Sequence, residues 1–213
     1  MGSRLMHAAI AKQLMTKFSQ LDMAFLIGNE APDVDKISEM SKDETHYLVP
    51  SNRGTRRVDL RLFLQEHPET LSDSFTLGYY THLLADEVWL TDVFMKVVPP
   101  QDDPRRPAVL ERYYEDFKKL NPYLVHKYGL QPLPSIATEA VPADFADKAC
   151  VEKLIQDYNA DFTGETIGDL EVLSITQIDV YIANVVNLMT RFIDTGVFVE
   201  KKILVRENLC DAN

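Results

Sequence analysis

The stretch YYTHLLADEVW, residues 79–89, sets an imidazole and a carboxylate four residues apart in an otherwise apolar run. On an α-helix, positions i and i+4 share a face, so His82 and Asp86 stack along one strip, with Gly78 a turn before and Trp89 a turn after. Leu77, Leu83, Leu84, Val88, Leu90, Val93 and Phe94 surround that strip, the pattern of a central, buried helix. An unpaired ionised carboxylate there would cost several kcal/mol, so it needs compensation. A metal ion supplies it. For this pair taken alone, so does a hydrogen bond between the two side chains and a neighbouring backbone group.

Other residues of the same chemistry stand elsewhere in the chain. His7 falls on the inward stripe of an N-terminal helix, Asp33 directly follows Pro32 in APDVD, and His46 stands in ETHYL before an apolar run. Asp35 is the alternative to Asp33 within its segment. Three imidazoles with two or more carboxylates make a nitrogen and oxygen donor set that suits zinc or a similar first-row divalent ion. The set is dispersed over separate segments, so local spacing cannot recognise it. The fold has to bring it together.

The elements available for that task are helical. Apolar positions Ile10, Leu14 and Phe18 recur every four residues in a helix over 4–18, and the pattern predicts further helices over 57–66, 73–97, 107–127, 143–160 and 174–195. Ser72 or Ser74 opens the 73–97 helix, Pro99-Pro100 closes it, and Gly196 stops the last one. Residues 28–35, 49–55 and 131–142 read as loops, and VFVEKKILV (197–205) is the single doubtful strand. The expectation is an all-α fold, a single-domain multi-helix bundle spanning 1–213 around a buried metal site, with the motif-bearing part over about 1–97.

The chain has 213 residues, 46% of them hydrophobic, which is enough for one full core. A net charge of −11 should repel nucleic acid and anionic membrane, so an anionic substrate would need arginines or metal ions to receive it. Cys150 and Cys210 fit no metal-ligand spacing and read as reduced thiols. Lys12 and Gln13 interrupt the N-terminal apolar residues before signal-peptide length, and no apolar run approaches the roughly 20 residues of a membrane span, so the expected location is cytoplasmic.

The order of the motifs adds a resemblance. HAAIA (7–11), GNEAPDVD from Gly28, THYL (45–48) and GYYTHLLAD (78–86), in that order and spacing, resemble the zinc-dependent phospholipase C family, which is related to the fungal single-strand nucleases. The resemblance covers roughly the first 95 residues. It implies a helical protein in which Asp33, His46, His82 and Asp86 gather one metal, and in which His7 with a bridging Asp86 helps gather a second. The family's further His and His-x-x-x-Glu ligands have no counterpart, since His126 alone follows Asp86 and the residue four beyond it is Leu130. One or two metals, zinc first among them, are expected. The implied activity is hydrolysis of a small phosphoester or phospholipid-type substrate by metal-activated water, with Asp33 as the catalytic carboxylate that orients or deprotonates that water.

SNRGTRRVDLR (51–61) then offers Arg53, Arg56, Arg57 and Arg61 against the single Asp59, and Arg53 and Arg57 are the substrate-binding candidates, because guanidinium forks match phosphate oxygens. The alternative is a non-catalytic helical protein that holds the metal for stability and acts through a protein partner. No His is followed by Asp, which removes the His-Asp phosphohydrolases, and no GxxxxGK[ST], GxGxxG, HExxH or GxSxG occurs.

Overall fold

The computed structural model describes residues 2–50, 56–143, 145–146, 148–162, 164 and 168–197, and the fold is all-α apart from one short hairpin. Helix α1 (Arg4–Lys17) leads to α2 (Met23–Glu30), a 3-10 turn over Ala31–Lys36 and the single turn α3 (Lys42–Thr45). Strands β1 (Leu48–Pro50) and β2 (Arg56–Val58) pair antiparallel, with Leu48 opposite Val58. Then come α4 (Leu60–Glu66), α5 (Ser74–Trp89), a π-helical turn over Leu90–Phe94, α6 (Met95–Val97) and α7 (Arg106–Tyr128). A 3-10 turn at Ser135–Ala140, α8 (Lys148–Asn159) and α9 (Ile175–Thr195) follow. Among the described residues, no helix is long and apolar enough to cross a membrane.

Helix α5 is the axis. All of its residues but Ser74 and Thr76 are buried, and one apolar cluster joins it to α1, α2, α7, α8 and α9. The tightest crossing is with α2. A Cβ on Gly28 would lie 2.0 Å from the Phe75 carbonyl oxygen, and one on Gly78 would lie 2.1 Å from that of Phe25. Two glycines therefore let the backbones touch where any side chain would hold them apart. Trp89 fills the far end of the core, donating to the Tyr113 hydroxyl at 2.6 Å.

Several expectations change. The segment 28–35 is not a loop: α2 continues through Glu30, and the 3-10 turn follows with Pro32 near its start, where a missing N–H costs nothing. The expected helix over 57–66 splits, because β2 carries Arg57 and Val58 and the Asp59 carboxylate then caps α4, accepting from the N–H groups of Arg61 and Leu62. Asp73, rather than a neighbouring serine, caps α5 by accepting from Thr76 N–H at 2.7 Å. That helix reaches Val97 only by way of the wider π turn. Residues 131–142 contain the 3-10 turn, and α8 begins at Lys148. The doubtful strand beyond residue 197 and Cys210 lie outside the described residues, as does Arg53.

Candidate metal centre

The crossing of α1, α2 and α5 brings His7, Asp33, His46, His82 and Asp86 together. His7 is buried in the first turn of α1, which packs against α2 and α9. His82 and Asp86 are one turn apart on α5. Asp33 comes from the 3-10 turn and His46 from the end of α3, whose start is fixed by a reciprocal cap between Ser41 and Glu44. The backbone of the next residue, Tyr47, has φ 51°, a left-handed conformation that bulky side chains seldom adopt.

Asp86 is the centre of the group. Its Oδ1 lies 3.3 Å from His7 Nε2, and its Oδ2 lies 3.6 Å from His82 Nε2 and 3.8 Å from His46 Nε2. Asp33 Oδ1 stands 3.8 Å from His46 Nε2 and is also paired with Lys36 at 2.7 Å. The ligand atoms of His7, His82 and Asp86 lie within 4.8 Å of one another, as do those of Asp33, His46 and His82. The cluster is dry, with His46 at 0%, His82 at 1% and Asp86 at 3% of full exposure.

Two of the three rings already use their far nitrogen, while His7 Nδ1 is buried without a partner. His82 Nδ1 donates to the Asn29 carbonyl at 2.8 Å, and His46 Nδ1 meets the Thr45 hydroxyl at 2.8 Å. A carbonyl can only accept, so His82 carries a proton on Nδ1 and Nε2 is left facing Asp86. Asn29 is buried too. With its amide turned to suit its neighbours, it donates to the His7 carbonyl at 2.9 Å and accepts from His82 N–H at 3.3 Å, tying α1 to α5. Yet both Asp86 oxygens and Nε2 of His46 and His82 make no hydrogen bond, since the contacts among them are too long or poorly aligned. Buried polar atoms rarely go unpaired, and this donor set matches what a small divalent cation takes. The residues therefore fit a metal.

Protonation follows from the same crowding. Burial alone would raise the carboxyls, but the His82 charge outweighs it and holds Asp86 well below the usual range; His82 and Lys36 together hold Asp33 at about 2. Burial and the neighbouring His82 charge push His7 down to about 4 and His46 to about 3. Burial also works against a charge on His82, but Asp86 prevails and raises it. His7 and His82 stack with centroids 3.9 Å apart and planes 8° apart, so two charged rings would repel strongly. Of the three rings, His82 is the one whose charged form the cluster favours.

Asp33 thus joins the cluster and Asp35 does not: Asp35 is half-buried, with its carboxyl raised by burial and by Asp33. Arg57 lies on β2 and donates to Glu87 Oε1 at 2.8 Å, while Glu87 also accepts from Val58 N–H, so this arginine ties the hairpin to α5. His126 is exposed in the last turn of α7. Sequence reasoning missed Glu30, which ends α2 at 1% exposure with neither carboxylate oxygen hydrogen-bonded. Burial raises it to about 8. Its signal was present, an acid one residue after the buried Asn29 in GNEAPD, but it sat in a stretch whose Gly, Pro and Asp content reads as a loop.

Compared with known proteins, the chain matches no family model, no curated protein and no solved structure. The resemblance in motif order rests on the motif residues themselves.

Proposed function

We propose that the cluster holds one or two divalent ions, zinc first among them, and that the protein is a metal-dependent phosphoester hydrolase resembling zinc-dependent phospholipase C. The observation that carries this reading is the convergence of five ligand-type side chains, from two long helices and two turns, with both Asp86 oxygens and Nε2 of His46 and His82 lacking a hydrogen bond. When bound, such an ion acidifies water and draws charge from phosphoryl oxygens. The chain's own part is to hold and orient. Asn29 and Thr45 fix the rings of His82 and His46 so that Nε2 is the free nitrogen. Asp33, with its carboxyl at about 2, is too weak a base to take a proton near neutral pH, so its part is to orient water and bind the ion. Lys36, 2.7 Å from Asp33 and partly exposed, places positive charge at the edge of the cluster, where an anionic substrate would enter. Arg53 remains a proposed phosphate contact, and Arg57 would have to release Glu87 to become one.

The enclosure of the cluster favours one rival reading, a metal held for stability in a protein that works through a partner, because structural sites are closed and catalytic ones keep an open position. Two measurements separate the readings. Elemental analysis of protein purified without added metal should find one or two divalent ions per chain. The loaded protein should then hydrolyse a nitrophenyl phosphoester, and Asp33→Asn should abolish turnover while keeping most of the metal. Full metal content with no turnover under several divalent ions would leave the structural reading, and no metal at all would end both.

A further inference from the structure

A cavity of about 680 Å³ lies on the other side of the segment that carries His46, and none of the five cluster residues lines it. Its walls are aromatic: Tyr47, Phe63, Phe75, Tyr79 and Phe145. Phe63 stacks on Tyr79 with centroids 5.3 Å apart and meets Tyr47 edge-on at 5.1 Å, while Phe145 stands edge-on to Phe75 at 5.0 Å. Phe63, Phe75 and Tyr79 belong to the core and form its wall toward the cavity, and Tyr47, with its left-handed backbone, lines the cavity while His46, one residue earlier, reaches the cluster. A strained residue that separates two such sites is an observation that calls for a role.

The polar lining is three carboxyl side chains with one imidazole, His67, and the Thr76 hydroxyl. Glu44, Glu69 and Asp73 all line the cavity, and no Lys or Arg does so among the described residues. Glu44 accepts from Ser41 N–H at 2.8 Å, Asp73 accepts from the Thr76 N–H, and Glu69 lies 3.2 Å from His67 Nδ1. His67 in turn meets the Tyr47 hydroxyl at 3.0 Å. Ring faces carry negative potential, so aromatic walls and carboxylates act in the same sense, attracting a cation with an apolar body and repelling an anion. The volume is that of a small-molecule site. An anionic phosphoester is a poor match for it, so its occupant is distinct from the substrate proposed for the cluster.

We infer that this cavity is a binding site for an organic ammonium ion, an alkyl- or arylammonium whose charged head sits among Glu44, Glu69 and Asp73 and whose apolar body packs between Phe63, Phe75 and Phe145. The site does not depend on the metal reading. The test uses the full chain, with and without chelator, titrated calorimetrically with benzylammonium, benzyl alcohol and benzoate, three probes of one shape that differ in charge. Benzylammonium should bind at least tenfold more tightly than the alcohol, benzoate should not bind, and the chelator should change neither result. The double variant Glu69→Gln, Asp73→Asn keeps a residue able to cap α5 and should bring the ammonium down to the affinity of the alcohol. Tyr47→Leu should weaken it at least threefold. Equal affinity for ammonium and alcohol, or a folded double variant that binds benzylammonium as the parent does, would overturn the inference. A chelator effect on binding would overturn the independence of the two sites.

Discussion

Two buried aspartates are handled in opposite ways. Asp116 on α7 is 0% exposed and accepts from three successive backbone N–H groups, Glu171 at 3.1 Å, Val172 at 2.7 Å and Leu173 at 2.9 Å. Asp86 on α5 is 3% exposed and neither of its oxygens is hydrogen-bonded. Burial alone does not distinguish them. The partners do: Asp116 pins the chain before α9 onto α7, and its interactions are complete within the protein, whereas Asp86 lies among three imidazoles without a hydrogen bond, where the proposed cation would sit. A buried charge whose hydrogen bonds are all made is a structural device, and one whose bonds are all missing is a site in waiting.

The strongest way to break this contrast is to remove Asp116. Asp116→Ala leaves three N–H donors without an acceptor and should cost roughly 4–5 kcal/mol of unfolding free energy, the same with metal as with chelator. Denaturant titration in both conditions reads it. A cost that vanishes in chelator would mean that Asp116 belongs to the metal centre after all.

Asp86→Asn makes the opposite forecast. The neutral amide cannot balance the same charge, so the rise in stability that zinc gives the parent should disappear, a loss of about 4 kcal/mol at a thousandfold excess of zinc over Kd. Asp116→Asn should keep that rise. If zinc stabilises Asp86→Asn as much as the parent, Asp86 is not a ligand.

Glu30 shows a third way to bury a carboxyl, which is to leave it protonated. Its folded pKa of about 8 lies above the ordinary 4.5, so between those values the folded state holds a proton that the unfolded chain has released. The stability this gives is fully present below about 4.5 and is lost as pH rises through about 8. In metal-free protein, Glu30→Gln should therefore remove a decline of about 3 kcal/mol between mildly acidic and mildly alkaline pH, taking ~1.4 kcal/mol per pH unit with allowance for relaxation. Parent and variant with parallel stability curves over that range would show Glu30 to be solvated.

The contrast also marks what could be read in the sequence. Helices α1, α7 and α9 were legible within a residue or two, and α5 in its start, because their apolar residues recur at helical spacing; the expected end at 97 is reached only through the π turn and α6. The five cluster residues were legible through motif order, and for His82 and Asp86 through spacing. Helix α2 was hidden because its face is apolar all round and its end runs into Gly28, Pro32 and Asp33. The hairpin was hidden because strands of three residues carry no period. Asp116 could not be read as a pin, since its partners are backbone groups more than fifty residues away. Glu30 was passed over because its one signal, an acid in GNEAPD, sits in a stretch whose Gly, Pro and Asp content reads as a loop.

The smallest and sharpest prediction concerns a hydroxyl. Thr45 Oγ1 lies 2.8 Å from His46 Nδ1 and 3.5 Å from the Lys42 carbonyl; with the hydroxyl proton turned to that carbonyl, the oxygen accepts from His46 Nδ1–H. That fixes the tautomer in which Nε2 offers its lone pair toward Asp33 and Asp86. Valine has nearly the same shape without the acceptor, so Thr45→Val should free the ring to adopt the other tautomer and lower zinc affinity about tenfold, ~1.4 kcal/mol. Thr70 is the control. It is equally buried, and its hydroxyl donates to the His67 carbonyl at 2.6 Å, away from the cluster, so Thr70→Val should lose stability without losing zinc. A competition titration against a chromophoric chelator measures both variants. Equal zinc affinity in Thr45→Val and Thr70→Val would mean that His46 is oriented by packing alone, and that the difference between Asp86 and Asp116 lies in the aspartates themselves and not in the groups that aim the histidines at one of them.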